Sequence, residues 1–234
     1  MIFLAGVVVA LGALVQGAVG YGMALVAVPL LVLVDPTLVP VPLLLLTSMH
    51  SVLAVFRDGR HVDWSGVGWA MLGYIPGTGL GVLAVLAVPQ QVFSLLVGLL
   101  VLVCVVLSLL TWRPRPRPGL LLFAGVVSGA GGTAAGIGGP PIVLLYQNET
   151  GPRVRGTISS YFMLGAVISI AALAVAGQVT SEALWRSASL IPFLVTGFAL
   201  SGLAHRVLDN GRTRHAVLTV STASAVLLIG HALL

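Results

Sequence analysis

Ser128-Gly-Ala-Gly-Gly-Thr-Ala-Ala-Gly-Ile-Gly-Gly-Pro-Pro-Ile-Val-Leu-Leu-Tyr146-Gln147 is the stretch on which the reading of the chain turns. It lies in an apolar region, yet it does not read as an uninterrupted membrane helix. Six glycines fall from Gly129 to Gly139, and each costs about 1 kcal/mol of helix stability relative to alanine. Pro140 and Pro141 follow, and proline is accepted in the first turn of a helix, where no N–H is needed. The pattern predicts a helix ending near Gly129, a length of bare backbone, and a new helix starting at Gly139 or Pro140. Gly125 falls in the plain apolar limb before the break. Non-helical backbone at membrane depth survives only where it is buried in protein or lines a wet cavity. A discontinuous apolar helix is therefore a pointer to a transporter's binding site.

Composition sets the class. Of 234 residues, 58% are hydrophobic and only 7% charged, with a mean hydropathy of +1.12; a soluble domain carries about 25% charged residues. The chain reads as an all-α polytopic membrane protein. All eleven basic residues are arginine, and in a membrane protein these act mainly as topology signals, so the net charge of +5 implies no nucleic-acid partner. Lone Cys104 gives neither a disulfide framework nor a cysteine metal site, and no metal or cofactor is expected. Met1-Ile-Phe-Leu lacks the basic start of a signal peptide and is expected to belong to the mature fold.

Hydropathy gives apolar segments at 2–34, 37–56, 66–86, 90–112, 119–147, 156–176, 184–204 and 215–233. Six approach the ~20 residues that cross a bilayer once. Segments 2–34 and 119–147 are too long for one crossing and too short for two. Each is interrupted, the first at Gly17-Ala-Val-Gly20-Tyr21-Gly22, so each reads as a re-entrant hairpin. Arginine counting agrees. Eight crossings would divide the arginines six against five, whereas two hairpins and six crossings put ten on one side and only Arg186 on the other. The positive-inside rule favours the second arrangement. It places both termini outside the cytoplasm, Trp64 and Trp112 at the inner interface and Trp185 at the outer one.

The halves repeat at an offset of 116 residues. Gly20 and Gly22 fall on Gly136 and Gly138, Trp69 on Trp185, Ile75-Pro76 on Ile191-Pro192, and Gly81 on Gly197. Each half holds one hairpin and three crossings, an odd number, so the two would be inverted repeats with a site at their interface. The expected divisions are 1–112 and 119–234, joined by the stiff cytoplasmic Arg/Pro linker 113–118. Pro76 and Pro192 are expected to break their helices.

The second limb of each hairpin, about Met23–Val34 and Pro140–Gln147, begins at the tip. Both helix N-termini would point to the membrane centre, each with about half a positive charge and free N–H groups for an anion. The candidate substrate-binding residues are Gln16, Gly20, Tyr21, Gly22, Thr133, Gly136, Gly138, Gly139 and Pro140, with no arginine or carboxylate at membrane depth. His50 is the titratable side chain well inside a crossing segment and the candidate for proton coupling; a neutral histidine bonded to a neighbouring helix is the alternative. Ser159, Ser160 and Tyr161 occupy a similar place in the second half.

These residues resemble a known family. Ala135-Gly-Ile-Gly-Gly-Pro-Pro-Ile-Val-Leu-Leu-Tyr146 and Arg155-Gly-Thr-Ile-Ser-Ser-Tyr-Phe162 are similar to the signature of the TauE/SafE sulfite exporters. Gly20-Tyr-Gly-Met-Ala-Leu-Val-Ala-Val-Pro29, Val62-Asp-Trp64 and Ile75-Pro-Gly77 match more loosely, and the first glycine run is sparser than is usual there. The resemblance implies a carrier in the bacterial inner membrane for small sulfur-containing anions, such as sulfite, sulfonates or thiosulfate, and not an enzyme. The sequence leaves open a proton-coupled importer, a channel, homodimerisation and the anion itself. A lipid-phosphate enzyme would want an acid, a base and arginine at the breaks, and neither break has them. The topology predicts that a fluorescent reporter active only in the cytoplasm, fused to Leu234, leaves cells dark; bright cells would overturn the two-hairpin arrangement.

Overall fold

The computed structural model describes residues 2–109, 114–146, 149, 151–208 and 212–233. They form ten α-helices: α1 Ile2–Val19, α2 Met23–Val34, α3 Val41–Asp58, α4 Trp64–Ala87, α5 Gln90–Leu109, α6 Pro118–Ala135, α7 Gly139–Tyr146, α8 Gly151–Val175, α9 Ser181–Leu208 and α10 Arg212–Leu233. Two short 3-10 turns, Pro36–Leu38 and Gly59–His61, flank α3. Among the described residues, four helices are long and apolar enough to cross a membrane, within α4, α6, α8 and α9, and several shorter helices are also apolar. The fold is thus that of a helical membrane protein. Trp112, Arg113 and Gln147 lie outside the described residues.

Both interrupted segments are pairs of helices, α1 with α2 and α6 with α7. The second break comes later than the glycine count suggests, because α6 runs past Gly129 to Ala135. The reason is tertiary. Gly73, Gly77 and Gly81 of α4 sit on the backbone carbonyls of Leu122, Val126 and Ala130, while Gly125 and Gly129 of α6 sit on those of Ala70 and Tyr74. A Cβ on any of the five would lie well inside van der Waals contact. Small residues let membrane helices approach backbone to backbone, and the packing gained outweighs poor helix propensity. Gly125 is therefore a contact residue rather than part of a plain limb.

The same device joins α1 to α9, where Gly197 sits on the Ala10 carbonyl and Gly17 on the Ser201 hydroxyl. These two pairs, α4 with α6 and α1 with α9, are the most extensive helix contacts, and each joins one half of the chain to the other. Further cross-half contacts run α3 to α8, α5 to α10, α4 to α8 and α3 to α9. Pro76 and Pro192 do not break their helices; α4 and α9 run through them. Inside a membrane protein, neighbouring helices and hydroxyl side chains make up for proline's missing N–H.

The hairpins are lopsided. The first limbs have 18 residues each, about 27 Å, while the second have 12 and 8, about 18 and 12 Å. A first limb is nearly as long as a hydrocarbon core of about 30 Å is thick. Gly20 lies on Arg155, near the start of α8, and Gly136 lies on Leu43, near the start of α3. The turn after α3 packs on α8, and the Asp63 N–H donates to the Thr157 hydroxyl at 3.0 Å, so the starts of α3 and α8 lie at opposite ends. Asp63 also caps α4, accepting from the Gly66 N–H at 3.1 Å and from the Tyr146 hydroxyl at 2.9 Å. This pins the end of α7 to the start of α4.

Two glycines of one helix test the backbone packing. Gly77→Ala is expected to lower stability by about 1–3 kcal/mol. Gly79, whose Cβ would meet nothing within 4 Å, should gain up to ~1 kcal/mol as alanine. Thermal melting in detergent measures both, and equal shifts would remove the case for a backbone seam.

Candidate functional site

Between the two breaks lies a cavity of about 50 Å³. Hairpin one contributes Gln16, Tyr21, Gly22, Ala24 and Leu25, and hairpin two Gly132, Gly136, Ile137, Gly138, Gly139 and Pro140. Leu44 and Thr47 of α3, Tyr74 of α4, and Phe162 and Ala166 of α8 close it. Of the residues expected from sequence, Gln16, Tyr21, Gly22, Gly136, Gly138, Gly139 and Pro140 come together here. Gly20, Thr133 and His50 do not line the cavity.

Three glycines of positive φ shape the breaks, Gly20 at +94° together with Gly22 and Gly136. Gly136, φ +74°, closes α6; its N–H donates to the Gly132 carbonyl at 2.8 Å and the Ile137 N–H to that of Gly131 at 3.0 Å. Gly22, φ +113°, opens α2. A side chain at either would strain the backbone. The two restarts differ in donors. The first turn of α2 has the N–H groups of Met23, Ala24 and Leu25, which have no intrahelical partner. In α7, Pro140 and Pro141 follow Gly139 and carry none. The hairpin sparser in glycine thus offers more amides, which reverses the weight the sequence gives the second break.

The polar side chains are held from behind. The Gln16 amide nitrogen lies 3.2 Å from His50 Nδ1, and His50 Nε2 lies 3.1 Å from the Ala13 carbonyl. The His50 ring is 1% exposed and stands edge-on to Phe198 at 5.1 Å. It reaches the cavity only through Gln16. Tyr74 was not singled out by its sequence. Its hydroxyl is 2.9 Å from Ser169 Oγ, which is 2.7 Å from Thr133 Oγ1, so Thr133 supports the wall as the buried end of a hydroxyl chain. Thr47 donates to the Leu44 carbonyl at 3.1 Å. Ser159, Ser160 and Tyr161 are buried away from the cavity, which their neighbour Phe162 lines instead.

Among the described residues no charged side chain lines the cavity. Arginine comes nearer than the sequence suggests, however. Arg57 donates to the Gly17 carbonyl at 2.8 Å and stacks over Phe198 at 5.2 Å. This sets a cation at the last turn of α1, where the helix dipole favours one. At the other end, Arg186 pairs with Asp35 and, at 2.7 Å, with Glu182, beside a wider hollow of about 310 Å³ that Trp185 also borders. Burial raises the Asp35 carboxyl, but the Thr37 hydroxyl and N–H and the Arg186 guanidinium outweigh it and hold the group below its ordinary 3.8. The stability this carboxylate contributes is present above that ordinary value and is lost as pH falls through the lower folded one.

No curated protein and no solved structure matches the chain at a significant level. The model of the family described as sulfite exporter TauE/SafE matches residues 3–228. That span covers both hairpins, all the residues lining the cavity and the apolar helices around them. The chain belongs to the TauE/SafE sulfite exporter family, and so to the membrane transporters of sulfite or related anions.

Proposed function

We propose that the chain is a secondary carrier that exports a small sulfur-containing anion such as sulfite, held in the cavity between the two hairpin breaks. The observation that carries the reading is the convergence of both breaks on one cavity that, among the described residues, no charged side chain lines. Helix N-termini, backbone amides and hydroxyls would hold the anion, and without a full counter-charge it can leave again. Since a single water needs about 10–15 Å³ measured this way, the cavity suits a compact oxyanion of a few heavy atoms. A membrane potential negative inside favours efflux of an anion by about 2.3 kcal/mol per charge per 100 mV, so export needs no coupled ion. The orientation proposed is that of the sequence reading, with both termini outside the cytoplasm of a bacterial cell and the halves as inverted repeats. The exchange of helix partners between the halves supports the second point.

Proteoliposomes loaded with sulfite test this. Efflux should saturate and speed up when sulfite is present on the far side; flux indifferent to it would mean a channel. Tyr74→Phe removes a cavity hydroxyl and leaves Ser169 bonded to Thr133. It is expected to raise the half-saturating sulfite concentration at least about tenfold with little change in melting temperature. An unchanged value would take Tyr74 out of the site.

A further inference from the structure

The contacts behind Gln16 determine which end of its amide is free. The Ala13 carbonyl is an acceptor only, so His50 Nε2, 3.1 Å away, carries the ring proton. In a neutral ring Nδ1 is then an acceptor, and Gln16 must turn its amide nitrogen to it, as it does at 3.2 Å. The other amide atom, Oε1, has no hydrogen-bond partner among the described residues, and Gln16 lines the cavity. The wall of an otherwise anion-friendly cavity therefore holds an oxygen that can only accept. Arg57, on the same helix as His50, is the charged group nearby; α1 and α9 present Ala13, Gln16 and Phe198 to the ring.

We infer that the cavity selects an oxyanion that keeps one proton, with Gln16 Oε1 accepting from it and His50 acting as the positioning residue that fixes the Gln16 amide. This rests on the reading of the cavity as an anion site. An anion without a proton meets a carbonyl oxygen there and is repelled, and one with two charges also lacks a cationic partner. The protonated anion satisfies every wall group at once, since its proton meets Oε1 while its bare oxygens face the amides and the Tyr74 hydroxyl.

Hydrogensulfite and chlorate separate the possibilities. Both are pyramidal monoanions of similar size, and only the first carries a proton. Binding is measured on the purified protein at mildly acidic pH, where sulfite is singly protonated. The wild type is expected to bind hydrogensulfite about tenfold more tightly than chlorate, the worth of one added hydrogen bond. Gln16→Met and His50→Phe are each expected to bring that ratio near one, read only where melting matches the wild type. General loosening of the fold would weaken both anions and leave the ratio alone. A wild-type ratio near one, or a tenfold preference that survives Gln16→Met, overturns the inference. A preference that survives in a folded His50→Phe overturns the positioning role, and Gln16→Met carries the test of selection if that variant does not fold. Binding of neither anion by the wild type would overturn the anion-site reading itself, a result distinct from equal binding of the two.

Discussion

Backbone-to-backbone contact through glycine is the constraint on which the rest of this structure depends. In a lipid environment apolar side chains gain little by leaving the solvent, so helices hold together by close approach and by hydrogen bonds. α4 and α6 achieve this by setting glycines of each helix on carbonyls of the other. α1 and α9 use fewer glycines to the same end. Both seams run along the first limbs of the hairpins, so they decide where the limbs end and how far the tips reach. The cavity is what remains between two limbs positioned in this way.

A site assembled from helix ends differs from one assembled from charges. An arginine in the cavity would hold an anion strongly but would itself be costly at membrane depth. In the proposed site, partial charges at the α2 and α7 restarts would avoid this, because the backbone is already desolvated in folding. The full charges stand off to the sides. Arg57 caps the end of α1, and Arg186 is neutralised by two carboxylates.

Much of this was legible in the sequence. Length and glycine–proline punctuation located both helix breaks, and α2 and the start of α7 fall where the pattern put them. Seven of the nine candidate binding residues line the cavity. The misreadings share one origin. Propensity ended α6 at Gly129 and broke α4 and α9 at their prolines, whereas tertiary contact carried all three helices onward. The roles of Tyr74, Thr133 and His50 depend on partners 34 to 95 residues away, and no local pattern encodes such distances. A tyrosine among the α4 contact glycines was the one available hint.

The seams also bear on how the chain is made. Gly73, Gly77 and Gly81 emerge from the ribosome well before Leu122, Val126 and Ala130, the residues whose carbonyls cover them. The same holds for the first limb, which waits for Gly197. Until the second half enters the membrane, the first half has inserted helices but no mate for their closest-packing faces. Insertion and assembly are therefore separate events for this protein.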